Sequence, residues 1–253
     1  MVNLNAAWQQ VKKYALCSVC GTPLIGIAHE DAWGNHYCAH HSTELPRCSC
    51  CQRLICNRLT SGGVAYRDGR LVCNLCRKTA VDTKEQAKPY VDAVAAWLFK
   101  KGLAFQNLFL HFKLVYRDEL VQALNLSAGE PQGVIYRSTS GRPLVRKVDG
   151  VAILKGLTVQ VMSGAVAHEL GHAWLFLEGI DGLPLPIEEG FCNTLSYLYH
   201  SEFTSDESRF CMKVIARNPD NIYGDGFRTV YPSLQKHGLG TLLTHLKKHH
   251  TLP

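Results

Sequence analysis

His168-Glu169-Leu170-Gly171-His172 is the stretch where residue type and spacing could carry chemistry. On a helix, positions i and i+4 lie one above the other, so the two histidines can aim their imidazoles at one metal ion. Glu169 then falls beside them, where it can take a proton from a water activated there. The pattern is that of metal-assisted hydrolysis with the glutamate as general base. Five letters alone do not decide the matter; the sequence that follows adds weight. Leu183-Pro184-Leu185-Pro186-Ile187 leads into Glu188-Glu189-Gly190-Phe191. The two prolines close one helix and open another, and an acidic pair falls in the first turn of the second.

Several elements must position these groups. Within residues 158 to 179 the apolar positions cover most of a helix surface, as a central buried helix requires. A second helix is expected from about Ile187 to His200. Upstream, Leu108, Leu110, Phe112, Leu114 and Tyr116 alternate as a strand does. A short helix follows over Arg117 to Leu124, then strands at Val134-Ile135-Tyr136 and Val151-Ala152-Ile153-Leu154. A small sheet of this kind packs against the central helix. Asp82-Thr83 signals a helix start with Pro89 in its first turn, and Tyr90, Val91, Val94, Trp97 and Leu98 recur at helical spacing up to Gly102. This connecting helix is expected within 81–105. Leu239, Leu242, Leu243 and Leu246 give a terminal helix one apolar face, with Lys247, Lys248, His249 and His250 at its solvated end.

The chain ahead of residue 81 is of another kind. Nine of its eleven cysteines lie between Cys17 and Cys76. Cys17-x2-Cys20 is followed after seventeen residues by Cys38-x2-His41; six residues on comes Cys48-x2-Cys51, and after twenty-one more Cys73-x2-Cys76. Each pair can form one knuckle, and two knuckles close a tetrahedral site. The simplest pairing gives one site of Cys17, Cys20, Cys38 and His41, and another of Cys48, Cys51, Cys73 and Cys76. His41 is preferred over its competitor His40 because it repeats the x2 spacing. Cys50 is badly placed for a knuckle, and Cys56 and His36 read as surface or packing. So small a module cannot bury enough apolar surface alone, and zinc would supply the missing folding energy. Two successive four-ligand modules in this length resemble a LIM domain.

Composition narrows the function classes. The 253 residues are 46% hydrophobic and 19% charged, ordinary for a chain that buries a sizeable core. The formal charge of +6 is mild. Arg47, Arg53, Arg58, Arg67, Arg70 and Arg77 are scattered and aromatic stacking residues are few, so a nucleic-acid partner is disfavoured. The most apolar run, Val151 to Met162, is interrupted by Lys155, so no membrane span is expected. The first residues carry no export signal. A cytoplasmic protein is therefore expected, its cysteines bound to metal as thiolates rather than paired as disulfides.

The two catalytic-half motifs together resemble the gluzincin peptidases, which take a third metal ligand from a glutamate on the next helix. In that class the ligand commonly precedes a glycine, and a polar residue one turn later supports a ligating histidine. Glu189, with Gly190 next and Asn193 at i+4, fits both features. Glu188 has Cys192 at i+4 and is assigned to shaping the cleft or capping the helix. The resemblance implies a metal set of His168, His172 and Glu189 with Glu169 as the catalytic base. Tyr197, Tyr199, His200, Tyr223 and Arg228 are candidates for stabilising an oxyanion.

Three stretches in order are more specific still: His168 to Leu175, Glu188-Glu189-Gly190, and Tyr223-Gly224-Asp225-Gly226-Phe227-Arg228. Together they resemble the DA-one family of LIM-containing peptidases, known in plants for limiting organ size. The resemblance draws attention to Tyr223 and Arg228 as groups lining a catalytic cleft. It implies an α+β chain. A lead helix (1–14) and a LIM-like double zinc module (15–80) are followed by a connecting helix (81–105) and a mainly helical, zincin-like peptidase domain with a small sheet (106–253). The implied cofactors are one catalytic and two structural Zn2+, and the implied partners are protein substrates recruited by the zinc module. Plant members are controlled through ubiquitin by acidic helices ahead of the LIM domain. Here the cysteine pairs begin at residue 17 without such helices, so ubiquitin dependence is not carried over. A non-catalytic zinc-binding adaptor is the competing reading, and the intact Glu169 argues against it.

Overall fold

The structure is a computed structural model that describes residues 16–105, 111–125 and 130–253. The lead helix expected over 1–14, and Leu108 and Leu110 of the expected first strand, lie outside the described residues. The chain divides into two compact units, one ending at Thr79 and the other running from Ala80 to Pro253.

In the first unit, two hairpins each end on a knuckle. Strands β1 (Ala28–Glu30) and β2 (His36–Cys38) pair antiparallel with His29 opposite Tyr37, and helix α1 (His41–Glu44) follows. The hairpin turn is built by Asp31, whose Oδ1 accepts from the amides of Trp33 at 2.9 Å and Asn35 at 3.0 Å. Helix α2 (Asn57–Thr60) precedes β3 (Gly63–Ala65) and β4 (Leu71–Cys73), antiparallel with Val64 opposite Val72, and α3 (Asn74–Arg77) closes the unit. Cys17, Tyr37 and Leu54 form its buried centre, with Val19, Leu24, Cys38, Leu45 and Leu59 packed around them.

The second unit opens with α4 (Lys84–Lys100), capped by a reciprocal Thr83–Gln86 box. Because the box fixes the start at Lys84, Pro89 falls at the sixth helical position rather than in the first turn as its type suggested. Gly102 adopts φ +96°, and Leu103 donates back to the Leu98 carbonyl at 3.0 Å, ending the helix in a left-handed turn. Strand β5 (Phe112–Val115), α5 (Arg117–Ala123), β6 (Gly133–Ser140) and β7 (Val145–Leu154) then form a three-stranded sheet in the order β5-β7-β6. β5 runs parallel to β7 and β6 antiparallel to it.

The site is carried by helices. α6 (Val159–Leu177) starts at Thr158, whose hydroxyl accepts from Val161 N and also bonds Glu207. Leu170 and Trp174 are fully buried. Each such side chain contributes on the order of 1.5–3 kcal/mol by burial, which holds α6 at the centre of the unit. α7 (Leu185–Ser201) begins after Pro184. α8 (Asp206–Ala216), α9 (Tyr223–His237) and α10 (Leu239–His249) complete the unit. α8 was not expected, although its start is written as Ser205-Asp206-Glu207, with Ser205 accepting from Ser208 N at 3.1 Å. Among the described residues, no helix is long and apolar enough to cross a membrane. The elements make an α+β protein.

Candidate metal centres

Helix periodicity brings His168 and His172 together. Their Nε2 atoms lie 3.2 Å apart, and Glu189 Oε2 from α7 lies 3.1 Å from the first and 3.4 Å from the second. Three ligand atoms around one tetrahedral zinc, at bonds of about 2.0–2.1 Å, would stand roughly 3.3 Å apart. The hydrogen-bond network decides which ring nitrogens face inward. Asn193 Nδ2 donates to the Tyr223 carbonyl at 3.1 Å, which leaves its Oδ1 to accept from His168 Nδ1 at 3.0 Å. Glu188 Oε1 accepts from His172 Nδ1, also at 3.0 Å. With both protons on Nδ1, both Nε2 atoms present lone pairs to the Glu189 oxygen. That oxygen is buried, and despite its short distances to the nitrogens it has no hydrogen-bond partner. Three lone-pair atoms facing one another call for a cation, so the donor set fits zinc.

Glu188 is thereby corrected from its expected place in the cleft or helix cap. It orients His172, as Asn193 orients His168. Cys192 is nearer than expected: its thiol lies within 4.8 Å of ligand nitrogens of both histidines. The Glu189 carboxylate, for its part, reaches both Nε2 atoms. Burial pushes the Cys192 thiol up to about 11, which favours its protonated form.

Glu169 points from the same turn of α6 and is buried. Burial raises its pKa, the two histidines oppose that, and the Glu189 charge adds to it. Burial also acts to raise Glu189, but positive charge beside it, supplied by His168 and His172 when no cation is bound and they are protonated, outweighs burial and holds that carboxyl down at about 2. Two carboxyls on one site are thus driven apart, one suited to ligation and one to proton transfer. Sequence reasoning missed the residue that makes room for Glu169. A Cβ on Gly133 of β6 would lie 2.6 Å from Glu169 Cγ and 2.8 Å from its Oε1. A glycine opening a strand was the available signal.

The remaining candidates separate clearly. Tyr223 begins α9 and is 43% exposed; burial first, then the Glu189 charge, raises its pKa, and His172 opposes the rise when protonated. Arg228 is committed to Asp225 at 2.6 Å and to the carbonyls of Asn218 at 2.7 Å and Ala216 at 3.5 Å, tying α9 to the end of α8. Tyr197 packs on Phe227 and Tyr231, and Tyr199 lies edge-on to Trp97. His200 is buried with its Nδ1 2.8 Å from Gln160 Nε2. Of the five, Tyr223 is the one that feels the charges of Glu189, His172 and Glu169.

In the first unit the knuckles gather Cys17, Cys20, Cys38 and His41 into one cluster and Cys48, Cys51, Cys73 and Cys76 into a second, each with its ligand atoms within 4.8 Å of one another. His41 turns Nδ1 toward Glu44 at 3.6 Å, and its buried Nε2 has no hydrogen-bond partner. That orphaned atom, on the nitrogen a metal would take, fits zinc as Glu189 does. The Cys17 thiol accepts from the amides of Val19 and Cys20, and Cys48 accepts from Cys73 N at 3.3 Å. Such bonds favour thiolates. Cys56 caps α2, its sulfur accepting from Leu59 N. Cys50 is buried beside the second cluster.

Comparison with known proteins finds relatives along most of the chain. The DA1-like family model, described as Protein DA1, matches residues 124–208 and 199–249, which span α6, α7 and α9. LIM domain-containing protein HDR3 of Oryza sativa is 25% identical over 91% of this chain and 60% of its own length. Protein DA1-related 2 of Arabidopsis thaliana is 26% identical over 94% of the chain and 58% of its own, and Protein DA1 of the same plant 24% over 91% and 55%. The chain therefore spans little more than half the length of these relatives. No solved structure matches it. The relatives run through both the cysteine clusters and the helical site, and the chain belongs to the DA1-like family.

Proposed function

We infer that the chain is a zinc-dependent peptidase of gluzincin type that hydrolyses peptide bonds in protein substrates. The observation that carries this reading is the convergence of His168 Nε2, His172 Nε2 and the partnerless Glu189 Oε2, with Glu169 buried beside them. Zinc, when bound, supplies an acidified water and polarises the scissile carbonyl. Glu169, its pKa raised by burial, takes the proton from the attacking water and returns it to the leaving amine. Glu188 and Asn193 hold the two rings so that Nε2 faces inward. The Tyr223 phenol, kept protonated by burial and by neighbouring carboxylates, serves as a hydrogen-bond donor to the developing oxyanion. The two cysteine clusters are read as structural zinc sites in a LIM-like module that recruits protein substrates in the cytoplasm.

The test is turnover of an unfolded protein substrate by wild type and Glu169→Gln at equal zinc content. A loss of roughly a hundredfold or more is expected, and an unchanged rate would sink the proposal. One observation favours a second reading. With Cys192 as a fourth ligand the site would be closed and structural, and the chain an adaptor. Cobalt substitution separates the two, because a thiolate-to-cobalt band lost in Cys192→Ala would support the closed site.

A further inference from the structure

Asn193 touches the metal centre and α9 with one amide. Its Oδ1 lies 3.0 Å from His168 Nδ1, and its Nδ2 donates to the Tyr223 carbonyl at 3.1 Å. The amide side of that same turn is already fixed, because Asp220 Oδ1 accepts from Ile222 N and Tyr223 N, both at 2.8 Å. One turn on, α9 lies against α7 backbone to backbone. A Cβ on Gly226 would be 2.0 Å from the Pro186 carbonyl, and one on Gly190 2.3 Å from Gly226. So close a contact, with Tyr197 packed on Phe227 and Tyr231, holds the middle of α9 against α7. The Asn193 bond lies off that contact, at the residue whose phenol is within electrostatic reach of Glu189, His172 and Glu169.

We propose that Asn193 is a positioning residue that couples the metal centre to Tyr223, its oxygen setting the His168 ring and its NH2 holding the first turn of α9 so that the phenol stays at the centre. The proposal rests on the hydrolytic reading above and divides one side chain into two separable roles. An aspartate would keep the acceptor for His168 but replace the donor with a carboxylate facing the Tyr223 carbonyl. An amide that served only to support the histidine would tolerate that change.

The experiment compares zinc-loaded wild type, Asn193→Asp, Tyr223→Phe and the double variant. Three readouts are used: zinc content, kcat, and hydrogen exchange of the Tyr223–Phe227 amides. Asn193→Asp is expected to keep its zinc, to exchange faster at those amides than wild type, and to lose roughly ten- to a hundredfold in kcat. In the double variant the loss should match the larger single loss rather than their product, because both changes remove the same contribution. Unchanged exchange in α9, multiplying losses, or loss of zinc from Asn193→Asp would each overturn the coupling. If wild type hydrolyses no peptide the hydrolytic reading fails, and the exchange result alone then decides whether Asn193 holds α9.

Discussion

Glu169, Glu188 and Glu189 stand around the same two imidazoles, and their surroundings give each a different task. Glu189 faces both Nε2 atoms, Glu188 accepts from His172 Nδ1, and Glu169 is enclosed beside them with its pKa raised. Replacing Glu188 by glutamine keeps an oxygen for the His172 proton but removes the charge that makes the ring a better donor to metal. Zinc affinity at this site is expected to fall about tenfold, read by competition with a chromophoric chelator; unaltered affinity would mean the charge is not used. The approach of His168 and His172 was legible in the sequence because helical spacing places them together, whereas Glu189 was reached through the gluzincin resemblance. The task of Glu188 and the need for Gly133 were not legible, since both depend on what packs across a helix interface. His200, read beforehand as an oxyanion candidate, is instead a core residue whose pKa burial pushes down to about 4. In the unfolded chain it takes a proton near pH 6.5, so between about 6.5 and 4 unfolding takes up a proton that the native ring refuses. The stability present above pH 6.5 is therefore lost as pH falls toward 4, by about 3 kcal/mol at most. Urea unfolding at pH 7 and pH 5 should show a smaller difference for His200→Gln than for wild type. Both proteins carry the same metal ligands, whose protonation cancels in the comparison.

At the scale of elements, glycines decide how closely the helices around the site can approach. A Cβ on Gly171 of α6 would meet Cys192 Sγ and Leu195 Cδ1 at 3.0 Å, and one on Gly190 of α7 would meet the carbonyl carbon and oxygen of Gly226 at 2.3 Å. The sequence marked Glu188-Glu189-Gly190 and Tyr223 to Arg228 as separate motifs, and the packing makes them two sides of one contact. Pattern reading could not join them, because a glycine announces close approach without naming its partner. Gly190→Ala is expected to force α7 and α9 apart, costing about 1–3 kcal/mol by overpacking and displacing Glu189. A lower melting temperature with loss of one zinc equivalent would register both effects. Gly240 in α10 supplies the contrast, since a Cβ there meets nothing within 4 Å. Gly240→Ala should raise stability by roughly 0.5–1 kcal/mol through helix propensity alone. If the two substitutions behave alike, the close-contact explanation of Gly190 is wrong.

For the whole molecule, the two units are stabilised by different means. The second has a continuous apolar core including Leu98, Leu120, Ile153, Leu170, Trp174 and Leu195, all fully buried. The first has a small cluster around Tyr37 and Leu54 beside its two cysteine clusters. Sequence spacing identified those clusters, but it said nothing of how the two zinc modules lie against each other. Trp33 joins them: its Nε1 donates to the Cys51 carbonyl at 2.8 Å, and the Arg53 guanidinium lies 3.5 Å from the centre of its ring. Arg47 adds a bond to the Tyr37 hydroxyl at 3.2 Å. An indole in a turn gives no sign in the sequence of which backbone it will cover. Metal removal should therefore act unequally. A strong chelator is expected to unfold residues 16–79, because zinc sites of this kind supply folding energy of about 10–16 kcal/mol each. The second unit should keep its secondary structure and protection from proteolysis, and on the proposed function it should lose the zinc assigned to His168, His172 and Glu189. The Trp33 contribution, taken as wild-type fluorescence minus that of Trp33→Phe, should shift to the solvent-exposed wavelength on chelation, as Trp174 stays buried. Loss of protection in both units at one chelator concentration would show that their stabilities are not separable in this way.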